Sequence, residues 1–115
     1  MDDPAFDMSG RRAVVTGASS GIGAAIAARL AAAGARVVAV SRSGRAPASK
    51  GAIEPLVADL AEADQVDQVV ADAASHLGGI DVLVNNAGQA AWSPLTRLDR
   101  RTVDAMVGVN LWAPL

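Results

Sequence analysis

The stretch Ala13-Val14-Val15-Thr16-Gly17-Ala18-Ser19-Ser20-Gly21-Ile22-Gly23 joins an apolar run to three glycines, and an alanine-rich segment follows it. This order predicts a strand, a glycine turn and a helix. Backbone N–H groups in the first turn of a helix have no partner within the helix, and the helix dipole is positive there. Glycines let such a turn come close to a phosphate group. The stretch therefore predicts a phosphate-binding turn, with a plain turn and helix start as the alternative.

A second motif supports the interpretation of the first as a phosphate-binding turn. The glycine spacing Thr-Gly-x-x-x-Gly-x-Gly is not the Gly-x-Gly-x-x-Gly of the usual dinucleotide fingerprint. It resembles the turn of the short-chain dehydrogenase/reductase family, and Asn85-Asn86-Ala87-Gly88 matches the Asn-Asn-Ala-Gly signature of that family. The chain from about residue 12 to 115 is thus similar to the N-terminal half of a classical member. A P-loop is disfavoured because no Gly-Lys-Ser/Thr follows the turn.

Apolar runs alternate with helical stripes along the chain, which predicts an α/β fold. We expect a doubly wound, Rossmann-like parallel sheet, present in part, with strand order 3-2-1-4 and flanking helices. Residues 1–11 are expected to be a polar lead-in and 12–115 a truncated NAD(P)-binding domain. Pro55 favours an edge position for the third strand. The predicted strands are Arg12–Thr16, Arg36–Val40, Ile53–Ala58 and Ile80–Val84; the predicted helices are Gly21 to about Ala33, Val66–Leu77 and one after Asp99.

The resemblance implies a set of cofactor-binding residues around the two motifs. In the first motif they are Gly17, Ser19, Ser20, Gly21, Ile22 and Gly23, and in the second Asn86, Ala87 and Gly88. The serine hydroxyls either donate to phosphate and ribose oxygens or cap the turn. Small side chains after the fourth strand leave room for the nicotinamide-side ribose. The asparagine amides are expected to tie neighbouring strands together.

Ser41-Arg42, at the end of the second strand, predicts which dinucleotide is preferred. An NAD-type site usually has an acidic residue here for the ribose 2′-hydroxyl. A carboxylate would repel a 2′-phosphate, whereas an arginine binds it through charge-assisted hydrogen bonds. We therefore expect NADP(H) to be preferred over NAD(H). Arg45 and Lys50 add positive charge nearby, and the alternative is that all three cations are solvated loop residues.

Two further positions have open alternatives. By resemblance, Asp59 accepts a hydrogen bond from the adenine amino group with Leu60 beside it, and the alternative is a turn aspartate. Asn110 matches the family's asparagine that holds a water linking the active-site lysine to solvent, so it is the candidate catalytic residue. The alternative is that Asn110 only satisfies backbone groups.

The sequence has no tyrosine, and its one lysine, Lys50, lies upstream of the second motif. The family resemblance implies hydride transfer between NADP(H) and a carbonyl or alcohol, with a Tyr-x-x-x-Lys pair as the proton-transfer group. We therefore expect a cofactor-binding N-terminal fragment with little or no turnover. The rival hypothesis is a non-catalytic module that binds a nucleotide or a partner chain.

Composition excludes several other classes. A net charge of −2 and an isoelectric point near 5.1 argue against a general nucleic-acid or anionic-membrane surface. There is no cysteine, and no His/Asp/Glu spacing predicts a metal site. No apolar run is long enough to span a membrane, so a cytoplasmic location is expected. Homo-oligomerisation is expected through an unpaired edge of the fourth strand and the last helix.

Overall fold

The computed structural model describes residues 6–49, 51–88 and 99–115. Strands and helices alternate through most of this part of the chain. Residues 42–49 form neither helix nor strand. In order the elements are β1 (Arg12–Thr16), α1 (Gly21–Ala32), β2 (Arg36–Ser41), β3 (Ala52–Val57), α2 (Ala63–Leu77), β4 (Val82–Val84), α3 (Arg100–Val107) and a π-helix (Gly108–Trp112).

The four strands form one parallel sheet in the order β3-β2-β1-β4. The predicted fold class and strand order are therefore confirmed. β1 and β2 are the inner strands, and their alternate residues face opposite layers. Val15 and Val37 pack with α1, whereas Val14, Val38 and Val40 pack with α2. Burial on both faces explains why the inner strands read as continuous apolar runs.

Small residues bring α1 close to the sheet. Ala27 and Ala31 are buried against β1 and β2 together with Leu30. The helix ends before Gly34, whose φ of +103° is the left-handed conformation that commonly follows a helix. Ile22 differs from these residues, because it is 73% exposed. Ile22 lies in the first turn of α1, next to the end of β1 rather than over the sheet.

β4 is shorter than the sequence predicts, and it is partly exposed. It begins at Val82 instead of Ile80, and Leu83 is 55% exposed. The reason is that the buried face of α2 packs against Val14 and Val38 of the inner strands, away from β4. Within the described residues, β4 pairs only with β1, so its other side is an open edge.

An ion pair joins β1 to the residue just before β4. The Arg12 guanidinium donates to both carboxylate oxygens of Asp81, at 2.9 Å and 3.0 Å. The Arg12 backbone N–H also donates to Asp81, and the side chain reaches the carbonyl of Gly78 at 2.9 Å. These hydrogen bonds from Arg12 lower the pKa of the Asp81 carboxyl to about 2. The ion pair therefore anchors the amino end of the sheet, opposite the strand ends that carry the motifs.

The last helix begins where the sequence predicts. Asp99 is the N-cap of α3, and its Oδ1 accepts the N–H of Thr102 at 2.7 Å. The helix then widens, because Ala113 donates its N–H to the Gly108 carbonyl five residues earlier, at 2.8 Å. No residue of α3 itself is buried.

Candidate functional site

A groove of about 330 Å³ opens at the carboxyl ends of β1, β2 and β3. Ligands of parallel α/β sheets bind in this position, where the strand order reverses. The size is at the lower end of the range for small-molecule sites. The lining residues are Gly17, Ser19, Ser20, Val40, Ser41, Arg42, Ser43, Ala58, Asp59, Leu60, Ala87, Gly88 and Val109.

The groove brings together most of the residues that the motifs predict. From the first motif it includes Gly17, Ser19 and Ser20, and from the second Ala87 and Gly88. The strand-end residues Ser41, Arg42, Asp59 and Leu60 also line it. The predicted site residues that do not line the groove are Gly21, Ile22, Gly23, Asn86 and Asn110. Their positions give them different structural roles, described below.

Close packing around the first turn excludes side chains at two glycines. A β-carbon at Gly17 would lie 2.9 Å from the Cα of Ala87, and Gly17 has a φ of +64°. A β-carbon at Gly23 would overlap the carbonyl oxygen of Gly17. Gly21 differs, since its φ of +59° needs glycine but nothing lies within 4 Å of its added β-carbon. The turn is therefore packed on the side of the second motif and open at Gly21.

The N-terminus of α1 is available to an anion. Ser20 is the N-cap, but its side chain makes no capping hydrogen bond. The capping alternative for this serine is thus not seen in the structure. Ala24 donates to the Ser20 carbonyl at 3.3 Å, so the amides of Gly21, Ile22 and Gly23 precede the first helical bond. These three residues contribute backbone donors at the helix end, beside the groove rather than in its wall.

Thr16 is a site residue that sequence reasoning missed. Its Oγ1 accepts the N–H groups of Asn86 and Ala87, both at 3.0 Å. The Nδ2 of Asn86 donates to the Gly17 carbonyl at 3.1 Å, as predicted for an asparagine that ties neighbouring strands. These bonds fix the second motif to the end of β1. The available signal was a hydroxyl residue at the last position of a buried strand, directly before the first glycine.

Charged groups are few in the groove wall. Among its described lining residues, Arg42 is the one cation and Asp59 the one acid. Arg42 is exposed at the end of β2. Arg45 is exposed but does not line the groove, and Lys50 lies outside the described residues. Of the two described cations considered from the sequence, Arg42 lines the groove and Arg45 does not.

Asp59 holds a turn and still faces the groove. Its Oδ1 accepts the N–H of Ala61 at 3.0 Å, and its own N–H donates to the side chain of Gln65 at 2.7 Å. The turn alternative is therefore confirmed. Its second carboxylate oxygen, Oδ2, accepts no hydrogen bond from the described residues, so the structural role leaves an acceptor for a ligand.

Asn110 lies in the π-helix, on an exposed position behind the groove. Its Oδ1 would be 3.5 Å from a β-carbon built on Gly88, which places the amide next to the second motif. The neighbouring Val109 is buried and lines the groove. Neither the π-helix nor the part played by Val109 was predicted. Single-turn π-helices are rare and often occur at functional sites.

Other kinds of site find no support in the part of the chain that the structure describes. There, no group of three or more His, Asp or Glu side chains is arranged to hold a metal ion. Among the same residues, no helix combines the length and the apolar character needed to cross a membrane.

Comparison with known proteins gives a consistent result. The family model for short chain dehydrogenase matches residues 11–115. D-erythrulose reductase of Gallus gallus is 41% identical over 117 residues, which cover 98% of this chain and 46% of the reductase. A short chain dehydrogenase from Burkholderia cenocepacia in complex with NADP is similar with a TM-score of 0.79 and 39% identity, covering 92% of this chain and 47% of that one. A metagenomic short-chain oxidoreductase, also in complex with NADP, has a TM-score of 0.80 and 38% identity, covering 93% and 52%. The chain spans about half the length of these relatives.

Proposed function

Because this chain belongs to the short-chain dehydrogenase family, we propose that its groove binds NADP(H) as the cofactor-binding half of an oxidoreductase. The substrate class is a small carbonyl or alcohol compound, as the name of D-erythrulose reductase says for that relative. The observation that carries the proposal is that one groove is lined both by Ser20, the uncapped N-cap of α1, and by Arg42.

The residues present fit a dinucleotide. Positive φ at Gly17 and Gly21, with open space at Gly21, lets a pyrophosphate approach the first-turn amides of α1. Ser19 and Ser20 add hydroxyl donors on the same side of the groove. Asp59 offers its Oδ2 to the adenine amino group, next to Leu60. Ala87 and Gly88 line the β4 end of the groove, where the nicotinamide-side ribose would lie.

Preference for the 2′-phosphate rests on the end of β2. Ser41 carries no charge at the position where an NAD-type site has a carboxylate, and Arg42 follows it in the groove wall. A guanidinium presents several N–H donors in a planar fork that matches phosphate oxygens. Both features favour NADP(H) over NAD(H).

When bound, the nicotinamide supplies or accepts the hydride. The 115 residues contain no tyrosine, so the tyrosine acid–base group that the resemblance implies has no counterpart among them. We propose that the Asn110 side chain, next to Gly88, places a polar amide near the nicotinamide end of the groove. Cofactor binding, rather than turnover, is the property we expect of these residues.

Isothermal titration of the protein with NADPH and with NADH tests the proposal. We expect saturable one-to-one binding of both, with NADPH bound at least about tenfold more tightly, as one additional charge-assisted contact implies. Equal affinities would overturn the cofactor preference. Absence of binding by either dinucleotide would overturn the site itself.

A further inference from the structure

The loop after β2 is built around the hydroxyl of Ser41. This side chain is buried, with only 8% of the residue exposed. Its Oγ accepts the N–H of Gly44 at 3.0 Å and donates to the carbonyl of Arg45 at 3.4 Å. One hydroxyl therefore closes residues 41–45 into a compact turn, and its proton and one lone pair are both engaged within the protein.

Two other contacts hold the same turn. The Oγ of Ser43 accepts the N–H of Arg45 at 3.2 Å and lies 3.5 Å from the Oγ of Ser41. Gly44 has a φ of +72°, and a β-carbon there would lie 2.8 Å from the side chain of Val57 on β3. The turn is thus determined by side-chain hydrogen bonds and by packing on the neighbouring strand.

The Arg42 side chain makes no hydrogen bond or ion pair with the other residues that the structure describes. It is exposed in the groove wall, and its backbone is held from both sides by the hydrogen bonds of Ser41 and Ser43. An anchored backbone reduces the conformational entropy that the arginine loses when it binds an anion. A flexible loop would present the same charge at a greater entropic cost.

We propose that Ser41 is a positioning residue for 2′-phosphate recognition, which acts through Arg42 by fixing the turn that carries it. This inference rests on the proposed function, since it names how the groove distinguishes NADP(H) from NAD(H). It adds to the role that the sequence suggests for Ser41, because the hydroxyl also organises the loop that carries Arg42.

A double-mutant cycle in cofactor affinity tests the inference. Ser41→Ala is expected to raise the Kd for NADPH by about three- to tenfold, the effect of losing the hydrogen bonds that fix the turn, and to leave the Kd for NADH within about twofold. In an Arg42→Ala background the same substitution is expected to have no further effect on NADPH, because coupled residues are not additive. Ser49→Ala is the matched control, since Ser49 accepts the N–H of Gly51 in the same loop but does not line the groove.

Two results would overturn the inference. One is an equal loss of affinity for NADH and NADPH in Ser41→Ala. The other is an undiminished effect of Ser41→Ala on NADPH affinity in the Arg42→Ala background. The first would show general loosening of the site, and the second a direct contact between Ser41 and the cofactor. Thermal unfolding by circular dichroism establishes that each variant is folded.

Hydrogen exchange at the Gly44 amide tests the turn independently of any cofactor. Loss of protection in Ser41→Ala is expected, and unchanged protection would overturn the role of Ser41 even if NADPH binds as proposed. If wild-type protein does not prefer NADPH while protection at Gly44 is lost in the variant, the proposed cofactor preference fails and the positioning role in 2′-phosphate recognition fails with it. The turn structure alone would then stand.

Discussion

At the scale of a single residue, the proposed cofactor preference rests on Arg42. Arg42→Asp is expected to raise the Kd for NADPH by about tenfold or more, because a charge-assisted bond is lost and a repulsive carboxylate is added. The Kd for NADH should change much less, since NADH has no 2′-phosphate. Isothermal titration of both dinucleotides measures this.

Arg45→Asp is the matched control for that substitution. It makes the same change of charge three residues away, on an exposed side chain that does not line the groove. An effect as large as that of Arg42→Asp would show that long-range charge, rather than contact, determines the preference.

Gly23 is required by close packing, so replacing it shows whether packing or helix propensity has the larger effect on the free energy of unfolding. In an ordinary helix Gly→Ala stabilises by about 1 kcal/mol. Here the added β-carbon would overlap the Gly17 carbonyl oxygen, and overpacking costs roughly 1–3 kcal/mol. We expect Gly23→Ala to lower the free energy of unfolding in urea. A stabilised variant would contradict the close contact between α1 and the first turn.

The residues that sequence alone could predict are those whose type is unusual for their place. Glycines before a helix, and an uncharged serine followed by an arginine where a carboxylate is common, indicate function without a structure. Thr16 and Val109 could not be found in this way. A threonine at a strand end and a valine in a helix are ordinary residues. The partners of Thr16 lie about 70 positions further along the chain, and Val109 lines the groove together with residues of distant elements.

At the scale of elements, arginines from β1 and β2 hold the end of α2. Arg36 donates to the carbonyls of His76 and Leu77, at 3.1 Å and 3.3 Å, and Arg12 donates to that of Gly78. Cations favour the C-terminal end of a helix because the dipole is negative there. Asp81 binds Arg12 from the other side and so fixes its orientation.

This ion pair predicts a pH dependence of stability. The pKa of Asp81 is lowered to about 2 in the folded protein, from an ordinary value of 3.8. Its stabilising contribution is therefore complete above about pH 4 and is lost as the pH falls towards 2. We expect the difference in Tm between wild type and Asp81→Asn to be largest near neutral pH and to shrink below pH 4.

Thermal unfolding of both proteins between about pH 7 and pH 2.5 provides the measurement, and the window follows from the two pKa values. Asp67→Asn, on an exposed position of α2, is the control and should show no such convergence. A constant difference between wild type and Asp81→Asn at all pH values would contradict the ion pair. The lowered pKa values of Asp7 and Asp99 affect wild type and variant equally.

The types and the order of the elements could be predicted from the periodicity of the sequence. The start of β4 and the π-helix could not. The inner strands, α1 and α2 have long apolar patterns, so their positions agree with prediction within a few residues. β4 begins two residues later than predicted, at Val82, and the side chain of the preceding Asp81 binds Arg12 of β1. The π-helix spans only Gly108–Trp112, too short for its wider period to appear in the sequence pattern.

At the scale of the whole molecule, the β4 side of the sheet predicts self-association. The exposed Leu83 lies on the open edge strand, and Val107, Leu111 and Trp112 are exposed on the helices that follow α2. Unpaired strand edges and apolar patches favour pairing with another chain. Sedimentation velocity over a range of concentrations should show an s-value that rises with concentration.

Leu83→Lys tests whether that edge is responsible. A charge on the edge strand should shift the distribution towards monomer. Val57→Lys is the control, because Val57 is also exposed, at 67%, but lies on the opposite edge in β3. A wild-type protein that stays monomeric at high concentration would contradict the prediction, as would equal effects of the two substitutions.

The strand order also sets the sequence of events during synthesis. β1 is made first among the strands but lies inside the sheet, and Arg12 meets Asp81 only after a further 69 residues. At about 5–20 residues per second, the ribosome needs roughly 3–14 s to supply them. During that time β1 can pair with β2. Its other edge and the Thr16 hydroxyl cannot yet bind β4 and the second motif, because these have not been made. The nascent chain therefore exposes an open central strand during this time, and the groove is complete only after β4 and the lining residues that follow it have been made.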